Sequence, residues 1–331
     1  MNKNILVWDM GGTKCAAGIV EHNAETGEFS CKKQTTVKLS DTSSLEHLIE
    51  RIESELNIKT KETDAVCMGA AGQFNGESLI HEHAYPYPMD IARVAAKQKW
   101  PNYAVVHDYT PIVCATFTSY AEQPENIKQL NHCTPDAHGR RVALGIGTGL
   151  GLKDGVLFPN GDFWLGRNEM GHIGITVPPH AESDELKRHA ELVRFLQQHH
   201  QPVTFEKILS GSGVALLYEF FHPNKPRILP EEVGAHILEG AEPHVLKTFA
   251  WYLGLFVGTV QLSFMPEGGI WITGGVALHL LPAFDLPDFA QGIRTSPAYL
   301  AQRDTYPLSV LCSLDHALMG GAYYAAKRLI K

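Results

Sequence analysis

Two glycine-rich turns, each ending an apolar strand-like run, constrain this chain more than any other feature. The first run, Ile5-Leu6-Val7-Trp8, leads into Asp9-Met10-Gly11-Gly12-Thr13-Lys14. A strand there delivers a carboxylate, then two glycines, then a hydroxyl and an ammonium. Glycine lets a backbone turn sharply with positive φ and lets phosphate oxygens approach amide N–H groups. Asp9 is a candidate ligand for Mg²⁺, directly or through water. The second turn lies in Gly145-Ile146-Gly147-Thr148-Gly149-Leu150-Gly151. Either turn alone reads as an ordinary β-hairpin. Two of them, each with Thr beside glycine, point to a nucleotide held between two related halves. Neither fits GxxxxGK[ST] or GxGxxG, so a P-loop or Rossmann unit is not supported. Lys14 has two readings of equal weight, a phosphate contact and a solvated lysine.

The rest of the chain reads as two α/β units. Residues 4–8, 15–20 and 29–38 form consecutive strands, with turns at Gly11-Gly12 and at 23–27. Ser44 to Ile52 places apolar residues at i, i+3, i+4 and i+7, a helix capped by Asp41, Thr42 or Ser43. A buried strand at 65–69, a helix at 90–99 and a strand at 103–106 complete the order βββαβαβ, that of a ribonuclease-H-like unit. The second unit opens with a strand at 142–147 and a hairpin through Lys153-Asp154-Gly155. Helices then cover 184–200, 213–221, 231–239 and 243–265, followed by a strand at 269–273 and a last helix at 315–330. The stretch 123–140 reads as surface loop. The expected domains are a small α/β domain (1–109 plus 316–331) and a large α+β domain (110–315).

Composition limits the partners. The net charge of −8 and the absence of a basic patch exclude nucleic acid; the densest basic pairs are Lys32-Lys33 and Arg140-Arg141. A polyanion must be held locally, by amides and metal. The six cysteines show no CxxC or Cys/His spacing, which argues against zinc and for free thiols in a reducing compartment. A strand begins almost at once, with no signal-type segment ahead of it. The apolar stretch 249–265 is broken by Gly254, Gly258 and Gln261 and is short for a bilayer. It reads as a buried helix, and the expectation is a cytoplasmic protein with no membrane partner.

Three further clusters carry chemistry. Asp108 follows the apolar strand Tyr103 to Val106, at a sheet's carboxyl edge where ligands collect. It can be a general base toward an alcohol or the N-cap of the next helix, 110–120. Both roles coexist only if one oxygen stays free. Asn168-Glu169-Met170-Gly171-His172 sets a carboxylate and an imidazole three residues apart, suited to a polyol or to a polar loop. Phe205-Glu206-Lys207-Ile208-Leu209-Ser210-Gly211-Ser212-Gly213 reads as a helical turn, a glycine stop and a new helix opening at Ser212 or Gly213. Such a helix start can face an anion or be a plain joint. His199-His200 and the pair His81/His83 lack a partner set and read as surface or core residues.

In this order the motifs resemble the bacterial-type glucokinases of the sugar kinase/actin-like ATPase superfamily, nearly end to end. Asp9-Met10-Gly11-Gly12-Thr13 is similar to that family's first phosphate motif and Gly147-Thr148-Gly149-Leu150-Gly151 to its second. His107-Asp108-Tyr109 stands where the family has Asn-Asp-Phe. Asn168 to His172 resembles its Gly-Glu-Gly-Gly-His sugar motif. Glu206 to Gly213 resembles its Glu-x-x-Leu-Ser-Gly-x-Gly block, and Ile272-Thr273-Gly274-Gly275-Val276 its adenosine-side motif. The stretch Asp315 to Lys327 is like its last helix. The resemblance implies two ribonuclease-H-like domains around a central cleft, closing to exclude water. It implies an ATP- and Mg²⁺-dependent hexose kinase with glucose as first acceptor, or another sugar such as an amino sugar. A nucleotide-driven regulatory protein on the same scaffold is the other reading. Asp108 is then the catalytic base. His107, Glu169, His172 and Glu206 bind sugar. Asp9, Gly11, Gly12, Thr13, Lys14, Gly147, Thr148, Gly149, Gly274 and Gly275 handle nucleotide and magnesium. A homodimer rests on the resemblance alone. The related repressor-type sugar kinases carry a Cys-rich zinc motif after the His, which this chain lacks. Departures fall on the sugar side: His107 for Asn, Met170 for Gly, and His83-Ala84-Tyr85-Pro86-Tyr87 for a Thr-Asn-x-x-Trp block.

Overall fold

The computed structural model describes residues 2–80, 85–313 and 315–330. The pair His81/His83, with Ala84, lies outside the described residues. In chain order the strands are β1 (Asn2–Met10), β2 (Lys14–Asn23), β3 (Phe29–Lys38), β4 (Ala65–Ala70), β5 (Gln73–Phe74), β6 (Leu79–Ile80), β7 (Asn102–His107), β8 (Ile127–Gln129), β9 (Arg141–Ile146), β10 (Leu150–Leu157), β11 (Phe163–Leu165), β12 (Gly269–Thr273) and β13 (Leu308–Leu311). The helices are α1 (Leu45–Leu56), α2 (Ile91–Gln98), α3 (Tyr109–Ala115), α4 (Ser183–Gln198), α5 (Phe205–Ile208), α6 (Gly211–Phe221), α7 (Pro230–Leu238), α8 (Pro243–Phe264), α9 (Gly275–His279), α10 (Pro287–Arg294), α11 (Leu300–Arg303) and α12 (His316–Arg328). They divide into one unit of residues 1–127 with 313–331, and another of 128–312.

The first unit is a sheet ordered β3-β2-β1-β4-β7. The β1/β2 and β2/β3 pairs are antiparallel, and β1/β4 and β4/β7 are parallel. Both faces are covered, so the central strands alternate between two cores rather than between core and water. Leu6, Trp8 and Met10 join one core with α1 and α2 residues, while Ile5 and Val7 join the other with α12. α1 buries Leu45, Leu48, Ile49, Ile52 and Leu56, the expected stripe. Its cap is Ser44, whose side chain accepts from the His47 amide, one residue beyond the expected caps. The unit keeps α3 and the chain to Ile127, so the division falls well past residue 109. The reason is close packing of α12 on α3: a Cβ at Gly320 would sit 1.7 Å from the Pro111 carbonyl oxygen.

The second unit repeats the plan in a sheet ordered β11-β10-β9-β12-β13-β8. Antiparallel β11, β10 and β9 are followed by β12 and β13, parallel to β9 and to each other. Each unit is thus ribonuclease-H-like, and each glycine turn is the hairpin between matching antiparallel strands, β1/β2 in one sheet and β9/β10 in the other. Two expectations need correction here. Lys153-Asp154-Gly155 lies inside β10, and the hairpin turn is at Gly147–Gly149. The stretch 123–140 is not all loop, because Ile127–Gln129 forms edge strand β8.

Helix α8 is the spine of this unit. It is apolar enough to cross a bilayer by length and composition, yet 78% of its most apolar window is buried inside the unit. The glycines that interrupt its apolar run are packing sites. A Cβ at Gly254 would lie 2.0 Å from the Phe289 carbonyl oxygen, on α10. All six cysteines are free thiols.

Candidate active site

In the first unit, parallel pairing brings two carboxylates to one sheet edge. Asp9 is the penultimate residue of β1, opposite Gly69 of β4, and His107 ends β7 opposite Ala70. The Asp108 amide then donates to the Ala70 carbonyl at 3.1 Å, which fixes Asp108 just past the strand. Asp9 has no hydrogen-bond partner for its carboxylate among the described residues. Burial foremost, and then the charge of Asp108, push its pKa up to about 6 against the opposing pull of Lys14. A half-buried oxygen pair without donors, beside a second carboxylate, fits a hard divalent cation such as Mg²⁺. Among the described residues no group of three or more His, Cys, Asp or Glu is placed to hold a metal. Asp9 is the side chain that would hold such an ion.

The adjoining turn presents amides. The Gly11 amide donates to the Lys14 carbonyl at 3.0 Å, and the Thr13 carbonyl accepts from Leu39 at 2.9 Å. The Gly12 and Thr13 amides have no acceptor among the described residues, and both residues are exposed. Lys14 is exposed, with no ion pair among them. None of Gly11, Gly12, Gly147 and Gly149 adopts the left-handed φ. Positive φ therefore does not account for these glycines; at Gly147 a Cβ would meet nothing within 4 Å, which leaves open space beside the turn.

The geometry of Asp108 is compatible with both readings, base and cap. Its Oδ1 accepts from the Tyr109 amide at 3.0 Å and lies 3.0 Å from His107 Nδ1. Its Oδ2 has no partner among the described residues, so one oxygen stays available. Sequence reasoning missed Tyr85 as a site neighbour. Its hydroxyl donates to the Ala71 carbonyl at 2.8 Å. Burial raises its pKa, and Asp108 and Asp9 add to the effect. Its place in the stretch that departs from the family pattern was the available signal.

In the second unit three turns converge. Gly211 donates to the Gly147 carbonyl at 2.8 Å. A Cβ on Gly211 would lie 3.7 Å from that oxygen and 3.8 Å from Val276 Cγ2. Gly274 has φ +101° and would drive a Cβ to 2.3 Å from the Ile146 carbonyl oxygen, so only glycine fits there. Gly275 opens on empty space. The Ser210 side chain accepts from the Gly213 amide at 3.2 Å, so α6 begins at Gly211, earlier than expected. Beside Ser212 lies a cavity of about 380 Å³, lined also by Ala215, Arg227, Ile228, Leu229, Pro230 and Glu232. No motif marked its 227–232 wall.

The same unit gathers the candidate sugar residues. Met170–His172 form a tight 3₁₀ turn, closed by the His172 amide on the Glu169 carbonyl at 3.1 Å. Gly171 is squeezed against β10, where a Cβ would sit 1.9 Å from the Leu150 carbonyl oxygen. His172 Nδ1 lies 3.5 Å from Glu206 Oε1. Glu206 Oε2 accepts from the Leu150 amide at 3.1 Å. Glu169 is exposed, with no side-chain bond among the described residues. Met170 is partly buried against the core.

Comparison with known proteins follows the same lines. The family model described as Glucokinase matches residues 6–328. A glucokinase of Rhizobium etli is 26% identical, covering 94% of this chain and 90% of its own. The crystal structure of a glucokinase from an Antarctic psychrotroph aligns with TM-score 0.80 at 20% identity, over 97% of this chain and 98% of that one. A ROK family glucokinase from Streptomyces griseus, in complex with glucose and AMPPNP, aligns with TM-score 0.59 at 16% identity, over 99% of both chains. At these identities the structural likeness establishes the fold.

Proposed function

The chain belongs to the glucokinase family, and we propose that it transfers the terminal phosphoryl group of ATP to the primary hydroxyl of a hexose, glucose first. The observation that carries this reading is Asp108, a carboxylate at a strand end with one oxygen tied and the other open. As general base, Asp108 Oδ2 takes the proton of the attacking hydroxyl. His172 and Glu206, 3.5 Å apart, form a pair that grips ring hydroxyls, with Glu169 three residues before His172 and open to do the same. His107 completes the sugar contacts, and as imidazole in place of a carboxamide it is where acceptor choice is set.

The open amides of Gly12 and Thr13, and those of Thr148 and Gly149, cradle the phosphates, with the two Thr hydroxyls as further donors. Lys14 adds positive charge to the first turn. Gly274 and Gly275 leave room on the adenosine side, and the cavity beside Ser212 is the size and polarity for a base. Asp9 would hold Mg²⁺, which when bound neutralises phosphate charge. The protein acts in the cytoplasm, and the family likeness favours a homodimer.

The test is Asp108→Ala, followed by a coupled ADP-release assay over a panel of sugars. The substitution lowers glucose phosphorylation by about 10³-fold or more and leaves ADP affinity within about twofold, because the nucleotide amides are untouched. Near-normal turnover in this variant sinks the assignment of the base. A stronger response of the wild type to an amino sugar than to glucose moves the acceptor and keeps the chemistry.

A further inference from the structure

Of the three second-unit side chains assigned above to the sugar, only Glu206 is hydrogen-bonded to the second glycine turn among the described residues. Its two carboxylate oxygens are divided. Oε1 faces His172 at 3.5 Å, and Oε2 accepts from the Leu150 amide at 3.1 Å. Leu150 opens β10 opposite Ile146, at the downstream foot of the turn. Inside the turn, the Gly147 amide is spent on the Gly149 carbonyl at 2.9 Å. The Thr148 and Gly149 amides remain without acceptors among the described residues. The Glu206 bond thus fixes the end of a turn whose two central donors are the ones left for a ligand.

Gly149 shows how close the fit is. A Cβ there would lie 2.7 Å from Glu206 Oε2. Since Gly149 does not adopt the left-handed φ, backbone conformation does not explain a glycine at this position. Clearance for the carboxylate does.

We infer that Glu206 is a positioning residue for the nucleotide turn as well as a sugar ligand, so that one carboxylate links acceptor binding to phosphate binding. The inference rests on the kinase reading above. A carboxylate that pre-orders the turn raises nucleotide affinity before any sugar arrives. Through the same contact, a side chain at Gly149 that pushes the carboxylate aside weakens sugar binding in return.

Calorimetric titration with ADP in the absence of sugar, and separately with glucose, tests this in three variants. Glu206→Ala lowers ADP affinity about tenfold without sugar present, the loss expected for a hydrogen bond to a charged group. Glu206→Gln keeps ADP affinity within about twofold, because its amide oxygen still accepts from Leu150, although its glucose affinity falls. Gly149→Ala, a change in the nucleotide turn, lowers glucose affinity about tenfold by displacing Glu206. Wild-type ADP affinity in Glu206→Ala without sugar, or a tighter one, overturns the inference. So does unchanged glucose affinity in Gly149→Ala. Wild-type protein that binds neither ADP nor glucose overturns the kinase reading itself.

Discussion

Burial and the neighbouring Asp108 hold the Asp9 carboxyl up at about 6, against its ordinary value of 3.8. The native protein without a cation therefore resists ionising Asp9, while the unfolded chain ionises it freely. Native stability drawn from the protonated group is fully present below the unfolded pKa and is lost as pH rises through about 6. At pH 8 the ionised group costs about 3 kcal/mol by this shift, before reduction for the residue's partial exposure. Asp9→Asn removes that cost. Urea unfolding without metal should show the variant gaining on the wild type between pH 4 and pH 7, and losing glucose phosphorylation throughout. An equal stability difference at pH 4 and pH 8 would mean that Asp9 is not held in its protonated form. At this scale the strand-end positions of Asp9 and Asp108 were legible in the sequence, from the apolar run ahead of each. Chemical roles for Asp108, His172 and Glu206 were suggested only by the ordered set of motifs and its resemblance to a family, because each motif alone also reads as a cap, a polar loop or a helix joint. Tyr85 and the bond from Glu206 to Leu150 were not legible, because each joins residues brought together only by the fold.

Elements were read from periodicity, and they failed where a polar residue is buried by distant partners. Lys153-Asp154-Gly155 resembles a turn, yet Asp154 is 3% exposed in the middle of β10. Arg140 Nε lies 3.7 Å from its Oδ2, and Asn168 Nδ2 donates to its Oδ1 at 3.5 Å. Gly166 leaves room for the carboxylate, since a Cβ there would lie 2.0 Å from Oδ1. None of those partners is local, so no window of sequence shows why an aspartate sits in a strand. The opposite case is α12, where the helix expected at 315–330 forms as His316–Arg328 and the small residues carry the packing. Gly320 approaches the α3 backbone, whereas Gly321 faces a side chain, with a Cβ 2.4 Å from Val7 Cγ1. Gly320→Ala must move backbone and should destabilise by about 3 kcal/mol, while Gly321→Ala should cost about 1–2 kcal/mol. Because Asp108 leads directly into α3, Gly320→Ala should also lower kcat more than Gly321→Ala. Urea melts and initial rates on the two variants check both orders; equal effects would mean α12 is not seated this tightly.

At the scale of the whole chain, the two glycine turns have one explanation. The order β3-β2-β1-β4-β7 in the first unit matches β11-β10-β9-β12-β13 in the second. Each turn joins the same two strands of a repeated sheet, and each leaves amides free. The surrounding chemistry differs. The first unit supplies Asp9 and Asp108, while the second supplies Glu169, His172 and Glu206 as well as the Gly274-Gly275 turn. That division predicts where a sugar acts when no nucleotide is present. Glucose at about 100 times its Kd stabilises the protein by about 2.7 kcal/mol. The added hydrogen-exchange protection should appear in the second unit at Leu150, at Met170–His172 and through α5, since these amides are tied to the residues proposed to bind sugar or lie among them. Asp108→Ala should keep this pattern while abolishing turnover, because it removes a proton acceptor and not the sugar's main grip. Glu206→Ala should lose protection at Leu150 even where glucose still binds, because that amide's acceptor is gone. Protection confined to the first unit would place the sugar's main grip on His107 and Asp108, and would require the roles of the two halves to be exchanged.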